Sequence, residues 1–149
     1  MSAPDRHPTS LEGYLPCRLT SLTVRLPESY ARVLLTTEAK PASNLEIPIA
    51  LEQARQLALA ISKEKAPRPL IGDLVTEIMT SYGLQIPYVA ITGFADGNVL
   101  AEMATVASDG KVRTFPARPS DALIIGFLQP VAAPILVAPE LFELVASKG

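Results

Sequence analysis

Histidine is nearly missing from this chain, and the gap removes whole classes of chemistry. The single copy, His7, lies in a polar, proline-containing stretch near the N-terminus. A Ser-His-Asp triad, a Cys-His dyad or a two-histidine hydrolytic site needs a histidine inside the fold. Cysteine is as scarce. Cys17 stands alone, which excludes an intrachain disulfide and a Cys/His zinc site and fits a reducing compartment. Nothing near Cys17 in sequence would stabilise a thiolate, so it reads as packing. Tryptophan is absent and aromatics make up 5% of residues, poor material for a base-stacking platform. Charged residues amount to 19%, and the net charge of −2 is not that of a strongly basic nucleic-acid binder. No apolar run reaches the roughly 20 residues that span a bilayer. The N-terminus lacks the basic-then-apolar pattern of a signal peptide. A cytoplasmic protein with no membrane partner is expected. There is no Walker loop and no dinucleotide-binding glycine pattern, so no organic cofactor is expected. Chemistry falls to carboxylates, Arg, Lys, Tyr, Ser and Thr, with Mg²⁺ or Mn²⁺ on oxygen ligands as the candidate cofactor.

What is present is a well-patterned apolar chain. Hydrophobic residues make up 48% of 149, enough for one domain with a substantial core. Residues 1–17 read as a flexible tail and 18–149 as the domain. From Leu19 to Leu26 the pattern alternates, with Leu22, Val24 and Leu26 on one side, as in a half-buried strand. Strands are expected over 31–37 and 45–49. A helix follows, with Leu51, Ala54, Leu57, Ala58 and Ile61 as its apolar stripe. Pro67 and Pro69 break it, and a second helix presents Ile71, Leu74, Val75, Ile78 and Tyr82, with Gly83 as its C-terminal cap. Two strands meet at the Asp96-Gly97 hairpin signal, and a third follows near 111–115. After Arg118-Pro119-Ser120-Asp121 the seven residues Ala122–Leu128 carry no polar side chain, which predicts a helix buried nearly all round. A short strand at 135–137 and a helix from Pro139 close the chain.

A shift of 68 residues superimposes these elements. Pro48 falls on Pro116, Ala54 on Ala122, and the helix from Leu51 on the helix from Pro119. The expected fold class is α+β: a mixed sheet packed with helices, with internal duplication of a β-β-β-α unit.

Two acid-and-arginine pairs stand at predicted helix starts. Arg118 and Asp121 flank Ser120, and Arg68 precedes Asp73. Each has a structural reading, since a carboxylate or hydroxyl there can cap helix N–H groups. Lys63, Lys65 and Arg68 form a small basic cluster, either a backbone contact for nucleic acid or a solvated loop.

The run Ala117-Arg118-Pro119-Ser120-Asp121-Ala122 resembles the signature of the bifunctional nuclease domain family. Pro67-Arg68-Pro69-Leu70 followed by Asp73-Leu74 is similar to a second motif of that family. Ile91-Thr92, Asp96-Gly97 and Ala133-Pro134-Ile135 fall in the same order, so the resemblance covers about residues 19–145. It implies DNase or RNase activity. On that reading Asp121, Asp73 and Ser120 are catalytic, Asp73 and Asp121 hold the metal, and Arg118, Arg68 and Lys65 contact substrate. If the two repeats pack around a pseudo-twofold, the start of the second helix approaches Asp121, and the carboxylates of 73 and 121 would sit about 4 Å apart across a metal pair. The sequence also departs from the family pattern. Glu46-Ile47-Pro48-Ile49-Ala50 replaces a tryptophan-containing strand, Gln53 replaces a glutamate, and Gly72 replaces a histidine. These losses favour the alternative, a non-catalytic binding or regulatory module. A homodimer is expected under either reading, because the apolar content leaves material for a hydrophobic face.

Overall fold

The structure, a computed structural model, describes residues 10–146. The N-terminal β1 (Leu15–Val24), β2 (Tyr30–Thr37) and β3 (Asn44–Ala50) form an antiparallel meander. Helices α1 (Leu51–Ser62) and α2 (Ile71–Ser81) follow. A second meander comprises β4 (Val89–Ala95), β5 (Asn98–Val106) and β6 (Val112–Ala117). Then come α3 (Pro119–Leu128), β7 (Ile135–Val137) and α4 (Glu140–Ala146). The seven strands make one mixed sheet in the order β3-β2-β1-β7-β4-β5-β6. Strand β7 pairs antiparallel with β1 and parallel with β4, so the two meanders run in opposite senses on either side of it. The α+β class is as expected.

Helices α1 and α3 pack against each other beneath the sheet, and α2 packs on α3. Leu35, Ile47, Leu57, Ile91 and Leu123 are fully buried between the layers. The Asp-Gly signal closes a two-residue hairpin, with positive φ at both Asp96 and Gly97 as a right-twisted ribbon requires. The 68-residue interval separates the starts of β2 and β5, β3 and β6, and α1 and α3. It fails for β1 and β4, and β7 has no strand counterpart in the first half among the described residues. The layout repeats in part, and duplication of a whole unit stays an expectation. Edge strands β3 and β6 each carry a proline, Pro48 and Pro116, at equivalent places.

Three expectations change. Strand β1 begins at Leu15 and pairs with β7 through Leu15–Cys17, so the sheet reaches into the segment assigned to the tail. Residues 1–9, including His7, lie outside the described residues. Within β1 the register slips between Leu19 and Ser21, a bulge that moves the inward set. Cys17, Leu19 and Leu22 face the core, whereas Val24 and Leu26 are exposed.

The largest change is in α2. Four of the five residues of its apolar stripe point outward, with Ile71 68%, Leu74 48%, Ile78 50% and Tyr82 79% exposed. The inward side carries the buried Gly72 and Met79, with Val75 alone of the stripe packed against the core. A Cβ at Gly72 would come within 3.1 Å of Leu128 and 3.2 Å of Ile124. The bare glycine therefore lets α2 lie close on α3, and that seating rolls the stripe away from the core. No helix among the described residues is long and apolar enough to cross a membrane.

Candidate functional site

The site is built where β6 turns into α3. Arg118 is the N-cap residue in extended conformation, and Pro119 opens the helix, where its missing N–H removes no bond and its fixed φ suits the first turn. That turn swings Arg118 back over the helix start. Its Nε donates to Asp121 Oδ2 at 2.7 Å and its Nη2 to Oδ1 at 3.3 Å, a two-pronged ion pair. The hydrogen bond to Asp121, and then the charge of Asp121, hold the guanidinium pKa above its ordinary value. Neither Ser120 nor Asp121 caps the helix as expected, because α3 has no side-chain cap bond.

Ser120 is buried and its Oγ hydrogen-bonds the side-chain amide of Gln53, on the first turn of α1. Gln53 Nε2 also lies 3.4 Å from Asp121 Oδ1. With the amide turned over, its oxygen accepts from Arg118 Nη1 at 3.1 Å and its nitrogen donates to Ser120 Oγ. In either orientation Gln53 ties the start of α1 to the start of α3. The residues that meet, Gln53 and Asp121, are separated by the same 68 positions that relate the helices.

Helix α1 also lacks a side-chain cap, its N-cap being Ala50. Two uncapped helix N-termini, each carrying a partial positive charge, thus converge beside one guanidinium. They open on a cleft of about 860 Å³ between the end of β3, the β4–β5 hairpin and the β6–α3 corner. Its walls are mainly apolar, including Ile49, Phe94 and Leu100, and its polar floor holds Gln53, Arg118 and Ser120.

The other predicted residues lie elsewhere. Asp73 accepts the backbone N–H of Leu70 at 2.8 Å, the capping role foreseen for it. It lines a separate depression with Lys65, while Asp121 lines another beside Ile71, and the two carboxylates bond to different partners. Arg68 is exposed and makes no ion pair among the described residues. Lys63, the third member of the basic cluster, caps the far end of α3 by donating to the carbonyls of Phe127 and Gln129. Among the described residues no three His, Cys, Asp or Glu side chains gather as a metal site. The oxygen ligands at Asp121 are one carboxylate already paired with a guanidinium, one amide and one hydroxyl, fewer free carboxylates than a divalent cation ordinarily takes.

Gln53 was legible only as a departure from a family pattern. The signal that places it is the 68-residue interval, which sets position 53 on position 121.

The family model for the bifunctional nuclease domain matches residues 33–148, and the chain belongs to that family. It is also similar to two uncharacterised proteins of Mycobacterium tuberculosis, MT1877 of strain CDC 1551 and Rv1829 of strain H37Rv. Each is 30% identical over 120 residues, which is 80% of this chain and 69% of the relative.

Proposed function

We propose that this chain binds nucleic acid and holds a backbone phosphate at the Arg118 corner of the cleft. The observation that carries the reading is the convergence of two uncapped helix starts on a fixed guanidinium. Backbone N–H groups and Arg118 supply donors, Ser120 and Gln53 set their geometry, and family membership supplies the class of ligand. The apolar wall with Phe94 suits the face of an unpaired base.

Fluorescence anisotropy with labelled single-stranded DNA, duplex DNA and RNA tests this directly. Arg118→Ala should weaken binding about tenfold and lower the salt slope by about one phosphate contact. Equal affinity in a folded Arg118→Ala protein would sink the assignment.

A second reading, phosphodiester hydrolysis, is favoured by the family and by the exposure of the Asp121 side chain, 39%, beside the phosphate-binding cation. A carboxylate so placed can take a proton from an attacking water. The same substrates incubated with Mg²⁺, Mn²⁺ or EDTA decide it. Cutting by wild type that disappears in a folded Asp121→Asn variant makes the chain a nuclease, and loss of cutting in EDTA assigns it a metal. Binding without cutting leaves the non-catalytic module.

A further inference from the structure

The outward stripe of α2 has no role in the cleft, and its layout identifies what covers it. Ile71, Leu74, Ile78 and Tyr82 recur every three or four residues, so they form one continuous ridge along the helix. No charged side chain interrupts it, and each member is about half exposed or more. The charges lie around it with a polarity. Helix α2 carries Asp73 and Glu77 and no basic residue, and its C-terminal turn is the negative end of the helix dipole. The segment just before it carries Lys65 and Arg68, both exposed and outside every ion pair among the described residues.

We infer that α2 is the contact of a two-fold homodimer, in which the α2 ridges of two copies pack antiparallel. A two-fold axis between Leu74 and Ile78 makes the ridge its own complement, with each Leu74 against an Ile78 of the second copy. The antiparallel sense also sets the basic segment of one copy against the negatively ended carbonyl turn of the other helix. Arg68 then reaches the carbonyl end of α2 and the Tyr82 ring of the second copy, an electrostatic and cation–π fit. Parallel packing would place like charges together at both ends. The position of the ridge adds a consequence for the site. Ile71 lines the same depression as Arg118 and Asp121, so a copy seated on the ridge walls the outer side of that ion pair.

Size-exclusion chromatography with light scattering on the full chain at tens of micromolar is the test. A mass near twice 15.9 kDa is expected for wild type, and near 15.9 kDa for Leu74→Glu combined with Ile78→Glu. Because both side chains are exposed, the variant should keep its circular dichroism and unfolding midpoint. Arg68→Glu alone should weaken the dimer about tenfold, and Arg68→Lys, which keeps the positive charge at the carbonyl turn, should retain most of the affinity. A monomeric wild type overturns the inference. A folded double variant that stays dimeric overturns it too, as does an Arg68→Glu protein with unchanged dimer affinity.

Discussion

Helices α1 and α3 begin at equivalent places and treat their residues in opposite ways. Helix α1 buries a narrow side, Ala54, Leu57 and Ala60, and shows Glu52 and Arg55 to water. Helix α3 buries Ser120, Ala122, Leu123, Ile124 and Gly126. Position 123 is a fully buried leucine, and the position 68 residues earlier is Arg55. One helix lies between the sheet, its twin and α2, while the other keeps a side open. The site sits where these unlike helices touch. Only the inner one contributes an arginine, a serine and a carboxylate, and the outer one contributes an amide that holds them. A shared backbone plan, then, fixes where two helix starts meet and leaves the chemistry to whichever start is more enclosed.

Substitutions at matched positions can break that contrast. Leu123→Ala should cost about 2–5 kcal/mol in urea unfolding, since the cavity lies in the central layer. Arg55→Ala at the matched position should leave the midpoint where it is. Equal losses would mean that the two helices are equally enclosed. Ser120→Ala, which leaves Gln53 without a buried partner, should cost about 1–2 kcal/mol, with Glu52→Ala at the matched position silent.

Gln53→Glu makes the meeting residues alike in charge and sharpens the comparison. Two facing carboxylates raise each other's pKa in the folded state, so stability is retained below the unfolded carboxyl range and lost as pH rises through the folded value. A tenfold tighter hold on the proton in the folded state costs about 1.4 kcal/mol at pH 7. Millimolar Mg²⁺ or Mn²⁺ should restore it in the variant and leave wild type unchanged, measured as the melting temperature with and without metal.

The smallest effect concerns β1, an inner strand beside β7. Burial, and then the charge of Glu38, push the Cys17 thiol up from 9.0 to about 11. Above pH 9 the unfolded thiol ionises before the folded one, so stability should fall between about pH 9 and 11 and stay flat, for this group, below that window. A Cys17→Val protein should lack that part of the decline. At pH 8 a disulfide reagent should modify folded Cys17 about a hundredfold more slowly than unfolded chain, from the thiolate fractions alone.

Much of the fold was legible because its signals are local. The hairpin at Asp96-Gly97, the apolar run of α3 and the break at Pro67 and Pro69 each act over a few residues, and each falls where expected. What failed depends on partners far along the chain. The bulge in β1 answers to the register with β2, and alternation alone cannot show it. The stripe of α2 has the period of a core helix. It points outward because a glycine lets the other side pack closer, and hydrophobicity scales give glycine no credit for that. In the site, Arg118, Ser120 and Asp121 were found together because they are neighbours on one turn. Asp73 was drawn towards them by an expected pseudo-twofold packing of the repeats, and its carboxylate accepts a backbone N–H at the start of its own helix. Gln53 was overlooked because nothing about a lone glutamine announces that it bridges two helices.

The prolines of β3 and β6 bear on how this protein behaves in a crowd. An open sheet has two rims, and each rim is a template on which another chain can lay a strand. Pro48 and Pro116 each remove one donor from a rim, in the later half of its strand, so an added strand would find a gap in the ladder at either edge. Seven strands is therefore a stopping width. Copies can meet through helices and side chains while their backbones stay apart, which keeps a pairing of two from growing into a fibre.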